Sequence, residues 1–181
     1  DNVIYSDATA TQANAARSDL LAADILEARD VEQAVARLKN ANAPPMDGTH
    51  YVGLIHPFVA KDFKGATGSG TWRAPKEYVD TANLYSGEMG MWAGVRWVET
   101  SNAPKWTDGG SGGIDAYGTI IIGKQAWAKA IGVPYEIRIG EVTDVLRRFR
   151  PIAWYGLIGY GFLRQNSAWR IESASSMGLN L

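Results

Sequence analysis

Between residues 18 and 40, apolar side chains recur at steps of three and four: Leu21, Ile25, Ala28, Val31, Val35 and Leu38. That spacing puts them on one stripe of an α-helix. Ser18 supplies a capping oxygen at the start, and Asp19 puts negative charge in the first turn. Arg29, Arg37 and Lys39 follow in the second half, where cations suit the helix dipole. Asn42, Pro44 and Pro45 end the run, since proline lacks the N–H and restricts the residue before it. A helix of this extent is about 30–35 Å long. Its stripe has to be buried against a second layer, which constrains the fold more than any other feature of the chain.

The rest of the chain supplies strands for that layer. Val3, Ile4 and Tyr5 read as a strand end, followed by a loose segment to Arg17. Asp47-Gly48 marks a turn, and residues 51–55 (YVGLI) form a continuous apolar run, hence a buried strand. Residues 58–64 read as a short helix with Pro57 at its first position. Residues 65–70 (GATGSG) read as a flexible loop, and 72–84 as loop with one helical turn. Strands are expected at 94–100, 117–123 and 135–140, with a long Gly-rich loop at 101–116. A short helix is expected at 124–131, with Trp127 and Ile131 on one side. Two closing strands, 153–163 and 169–174, are read as paired through a turn at Gln165-Asn166. The order of elements predicts an α+β fold.

Several function classes lack their chemistry. With 181 residues the chain makes one domain, or one body with two lobes. No run of about 18 apolar residues is present. Eighteen Lys and Arg against 19 Asp and Glu leave a net charge of -1, without the basic excess of a general nucleic-acid binder. The absence of cysteine removes disulfides, thiolate metal sites and a Cys nucleophile together. Two histidines, His50 and His56, are too few for a metal site. GATGSG lacks the Gly-Lys-Ser/Thr and the strand–loop–helix setting of a phosphate loop. Ser167 and Ser173 lack a Gly-x-Ser-x-Gly setting. Trp92, Trp97, Trp127, Trp154 and Trp169 sit in or beside apolar elements and are expected in the core. Arg147, Arg148 and Arg150 flank Phe149 and read as a solvated or subunit-contact patch. No catalytic residue, metal ligand or cofactor is expected.

Five spaced motifs carry a resemblance. They are ARLKNANAPP (36–45), YVGLIHPFVAKDF (51–63), GEMGMWAGVRWVET (87–100), YGTIIIGKQAW (117–127) and RIESAS (170–175). In this order they resemble tailed-phage major capsid proteins, and are most similar to the family named after the coat protein of the coliphage "N-four". The resemblance implies the Hong-Kong-97-type capsid fold. Residues 24–40 would be the spine helix, 1–43 part of the peripheral (P) domain, 44–140 the axial (A) domain, and 141–181 the P-domain return strands.

The function implied is a coat protein of the virion, assembled in the host bacterial cytoplasm into an icosahedral head around double-stranded DNA. Its partners would be further copies in pentameric and hexameric capsomers, with decoration, portal and scaffold proteins, and no membrane. The packing and assembly candidates are Leu21, Ile25, Val31, Val35 and Leu38 on the stripe, and Arg29, Arg37, Arg147 and Arg148 for charge. The loop 101–116 would lie near a capsomer axis. The family carries an N-terminal arm and an E-loop before the spine helix, so the particle's protein is expected to be longer than these residues. An encapsulin-like shell with the same fold, enclosing protein cargo, is the alternative. A Trp-rich carbohydrate-binding module is a distant third.

Overall fold

A strand whose residues are apolar at every position must be covered on both faces, and the sheet grows around such a strand, β2 (Tyr51–Ile55). The computed structural model describes residues 2–9, 13–65 and 88–177. β1 (Val3–Tyr5), β3 (Glu88–Trp92), β4 (Val95–Glu99), β5 (Lys105–Trp106), β6 (Ala116–Ile122) and β9 (Ala168–Ser173) complete a seven-stranded mixed sheet. Its order is β1-β9-β6-β2-β4-β3, with β5 paired to β6. β2 runs parallel to β4 and antiparallel to β6, and β9 runs antiparallel to β6 and parallel to β1.

Alternation along the strands divides the sheet into two apolar faces. On one, Tyr51, Ile55, Val95, Trp97, Tyr117, Ile121 and Ile171 form one core with two helices. α1 (Ala28–Asn40) contributes Val31, Ala34, Val35 and Leu38, and α2 (Pro57–Gly65) contributes Val59, Ala60 and Phe63. On the other face, Val52, Ile122 and Ala126 are buried with Leu54, Val98 and Ile120. Gly53 lies opposite Trp97 in the parallel pair, and a Cβ there would stand 2.6 Å from the indole. The missing side chain is what leaves room for the Trp97 ring beside β2.

The helix is shorter than its stripe. α1 has 13 residues, about 20 Å, and begins at Ala28 rather than at Ser18 or Asp24. Two carboxylates decide this, those of Asp30 and Asp24. Glu27 is extended at the N-cap, and its N–H donates to the Asp30 carboxylate at 3.3 Å. Upstream, the buried Asp24 carboxylate accepts from the Ala8 and Leu21 N–H groups at 2.9 and 2.8 Å and from the Asn14 amide at 2.8 Å. Those bonds hold the segment before α1 in turns. Ser18 belongs to a single 3-10 turn (Arg17–Asp19). Leu21 is therefore exposed, and Ile25 forms an isolated bridge to Ala174 instead of a helical turn. Leu26 takes the buried place.

Other expectations are corrected at the C-terminal end. Residues 124–131 are not a helix: Trp127 opens β7 (Trp127–Ile139). β8 (Ile152–Phe162) pairs with β7, whereas β9 pairs with β6, so the closing strands are not a hairpin with each other. β3 was not expected as a strand and pairs with β4. The loop 101–116 contains β5, and the Ser111 N–H donates to the Leu20 carbonyl at 2.8 Å. The expectations for GATGSG, beyond Gly65, and for 72–84 lie outside the described residues. Among the described residues, no helix is long and apolar enough to cross a membrane. The chain divides into two compact units, 1–126 with 165–181, and 127–164.

Candidate functional site

The unit 127–164 is the β7–β8 hairpin, and it has no apolar interior of its own. β8 is regular, so Ile152, Trp154, Ile158, Tyr160 and Phe162 share one face. The register sets Ile139, Ile137, Ile131, Lys129 and Trp127 directly opposite them on β7. Trp154 is 74% exposed, Tyr160 77% and Ile137 74%. The opposite face of β8 carries Ala153, Tyr155, Leu157, Gly159 and Gly161.

Local chemistry shapes this ribbon. β7 shifts register twice, between Ile131 and Val133 and between Val133 and Glu136, around Gly132 and Pro134. Proline cannot donate to the ladder, so it sits at such an irregularity. The Tyr135 ring lies against Gly156, where a Cβ would be 2.6 Å away, and meets Trp154 edge-on at 5.7 Å. Trp127 meets Phe162 in the same way at 5.6 Å. Arg138 lies over Tyr155 at 4.7 Å and pairs with Glu136 at 2.6 Å. The aromatic residues of the face alone amount to on the order of 400–600 Å² of exposed apolar surface, the size that marks an interaction site. A two-stranded ribbon is also marginal by itself. The face is therefore complete only when another surface covers it.

The expected candidates fall into three groups. Val31, Val35 and Leu38 are core residues of α1. Leu21 and Ile25 are off the helix. Of the arginines, Arg29 donates to the Asp7 carbonyl and faces Glu27 at 3.4 Å and Asp30 at 3.7 Å. Arg37 lies over Trp169 at 4.7 Å. Arg147 and Arg148 are exposed at the hairpin tip, where Arg148 pairs with Asp144 at 3.1 Å. The structure thus does not gather the candidates into one site.

The tryptophans also divide. Trp92 and Trp97 are in the core, Trp169 is partly buried, and Trp127 and Trp154 are on the exposed face. Sequence reasoning missed Trp127, Ile137, Trp154, Tyr160 and Phe162 as surface residues. The available signal was the composition of β8, long, apolar and interrupted by three glycines, with no polar face.

No group of three metal-ligating side chains occurs among the described residues. His56 caps α2: its Nδ1 accepts the Phe58 N–H at 3.3 Å, and its ring packs on Phe58 and Tyr117. Burial lowers its basicity, and the Lys105 cation lowers it further. His50 belongs to the turn built on Asp47, whose carboxylate accepts the His50 N–H at 2.6 Å. The ionic cluster nearby is self-contained: Lys105 pairs with the buried Asp115 at 2.8 Å, which holds that carboxyl below its ordinary range.

A family model described as "Phage capsid protein" matches residues 1–176. No curated protein matches the sequence. Among solved structures, the capsid of Ralstonia phage GP4 is 18% identical with a TM-score of 0.70, covering 96% of this chain and 52% of its own. The capsid of cyanophage Pam1 is 16% identical with a TM-score of 0.67, covering 97% and 54%. The holo-SrpI encapsulin complex from Synechococcus elongatus is 11% identical with a TM-score of 0.53, covering 97% and 54%. At these identities the likeness shows the fold, the α+β Hong-Kong-97-type capsid fold. The chain spans about half the length of the solved chains it matches.

Proposed function

The chain belongs to the phage capsid protein family, and from that membership we propose that it forms part of a major capsid subunit that self-assembles into the icosahedral head of a tailed bacteriophage around double-stranded DNA. The observation that carries the assembly reading is the β7–β8 face, whose Trp127, Ile137, Trp154, Tyr160 and Phe162 stay exposed in the isolated chain. Exposed apolar surface of this size favours association, because covering it removes roughly 25 cal/mol per Å² of unfavourable hydration.

In this reading the copies form pentameric and hexameric capsomers through heterologous contacts, in which one surface of a subunit meets a different surface of the next. Decoration, portal and scaffold proteins join the particle, whose DNA is enclosed without sequence recognition. The subunit works without a cofactor. The likeness to the coliphage N-four family rests on the five motifs, as does the division into P-domain parts at 1–43 and 141–181 and an A domain at 44–140. α1 takes the spine position on the strength of its stripe; its 13 residues count against that assignment. The loop 101–116 is placed toward the capsomer axis.

Trp154→Lys combined with Tyr160→Lys tests the reading. The substitutions keep the hairpin soluble and are expected to abolish closed particles in electron micrographs, while the far-ultraviolet circular dichroism of the subunit is retained. Normal particles from the doubly charged variant would overturn it. The encapsulin-like reading rests on the shared fold alone, with a TM-score of 0.53 to an encapsulin shell against 0.70 to a phage capsid. Nuclease-protected double-stranded DNA inside purified particles supports the phage head, and a protein cargo in its place supports the encapsulin-like shell. Family membership leaves the carbohydrate-binding reading without support.

A further inference from the structure

We propose that the arginine-bearing tip of the β7–β8 hairpin docks on an acidic surface of a second copy of this chain. The proposal rests on the assembly reading above and names the contact that the tip makes within it.

The tip, residues 140–151, is a built structure. The Gly140 N–H donates to the Pro151 carbonyl at 2.9 Å, the Thr143 N–H to the Phe149 carbonyl at 3.3 Å, and the Arg147 N–H to the Asp144 carbonyl at 2.9 Å. Arg147 holds a left-handed backbone, φ 54°, which a residue with a side chain adopts at some cost. Val145, Leu146 and Phe149 are exposed there, Val145 almost completely at 98%. Arg148 is paired with Asp144, but Arg147 and Arg150 have no anionic partner among the described residues.

Charge is divided unevenly along the chain. The unit 127–164 carries six cations and three anions, a net of +3. The whole chain has 18 cations and 19 anions, so the remainder carries 12 and 16, a net of -4. Within the remainder, Asp19, Glu32, Glu99 and Asp108 are exposed and have no cationic partner among the described residues. The tip itself holds Arg147, Arg148 and Arg150 against Glu141 and Asp144, a net of +1, and its two arginines without an anionic partner are complementary to exposed carboxylates of another copy, which fits a heterologous contact. The alternative ligand for arginines is the phosphate backbone of packaged DNA. The tip interleaves its arginines with Val145, Leu146 and Phe149, and apolar side chains gain nothing against phosphate. A protein surface accepts both.

The absence of cysteine from residues 1–181 simplifies the test. With any cysteine outside these residues replaced by serine, Val145→Cys supplies a single thiol, which a benzophenone maleimide labels at the tip. On irradiation of assembled particles, cross-links are expected on the body of a second copy, in peptides holding Asp19, Glu32, Glu99 or Asp108. Their yield is expected to fall about tenfold in Arg147→Glu/Arg150→Glu, and to fall as salt is raised. If the reversal variant does not fold, the salt titration on the unreversed tip gives the same readout. Cross-links to DNA, cross-links only between tips, or a yield indifferent to both charge and salt would overturn the proposal while particles still form. Failure of the unlabelled subunit to form particles at all would instead overturn the assembly reading, and this contact with it.

Discussion

Arg17 grips Glu172 with two parallel hydrogen bonds, Nε to Oε2 at 2.7 Å and Nη2 to Oε1 at 2.9 Å, across 155 positions of sequence. Glu172 is fully buried in β9, and Arg170 faces its Oε1 at 2.8 Å. The same two arginines flank Trp106, Arg17 at 3.6 Å and Arg170 at 5.3 Å from the ring centre. One carboxylate thus ties the segment before α1, the β5 strand and β9 together.

Removing Arg17 leaves that buried carboxylate with Arg170 alone. Arg17→Ala is expected to destabilise by about 2–3 kcal/mol, and Glu172→Gln by a similar amount. The double variant should lose less than the sum of the two, because the second change removes the charge that the first one strands. Urea unfolding of all three variants checks this, and strict additivity would show that the pair is not coupled.

Leu38 and Leu21 belong to one stripe in the sequence but to different environments in the fold. Leu38→Ala is expected to cost about 2–5 kcal/mol, since it empties a fully buried site under α1. Leu21→Ala is expected to stay within about 0.5 kcal/mol of the parent. Equal losses in thermal or urea unfolding would place Leu21 back in the core.

Gly53→Ala is expected to destabilise by about 1–3 kcal/mol, because its methyl would meet the Trp97 ring and Val95 at 2.6–2.8 Å. Gly159→Ala serves as the control, since nothing lies within 4 Å of a Cβ there. The ratio of the two effects on the melting temperature is the measurement, and a parent-like Gly53→Ala would mean that the indole has room to move.

Asp62 sets an acid limit on the C-terminal segment. Burial pushes its carboxyl up, but hydrogen bonds from the Ser176 hydroxyl, the Ser175 hydroxyl at 2.8 Å and the Ser176 N–H at 2.7 Å outweigh it and hold the group below its ordinary range. A carboxyl depressed in the folded state contributes stability at pH values above its unfolded pKa of about 3.9, and loses it as pH falls through the folded value. Protection of the Ser176 amide from hydrogen exchange is therefore expected at pH 6 and lost progressively below about pH 4. In Asp62→Asn the loss should not depend on pH.

What the sequence determined by itself was local. β2, β4 and β6 are strands because β-branched and aromatic residues make up most of each, and their inward positions are apolar. α2 starts at Pro57, and α1 ends just before the Asn42 to Pro45 stop, because backbone chemistry allows little else there. The tertiary structure decided what spacing leaves open. Positions four apart share a face in a helix and in a strand alike, so Trp127 and Ile131 satisfied both periods, and only pairing with β8 selected the strand. Ile25 fitted the helical stripe, yet the Asp24 carboxylate accepts the Ala8 N–H from sixteen residues upstream and the Leu21 N–H of its own turn, which holds this segment out of the helix. Strand partners were equally beyond the sequence: β9 joins β6 and β1 through a register set by the whole sheet, not by the turn that precedes it. The exposed face of the hairpin was the least legible feature. An apolar strand reads as buried in any sequence, and whether it is buried depends on what else the fold has to lay over it.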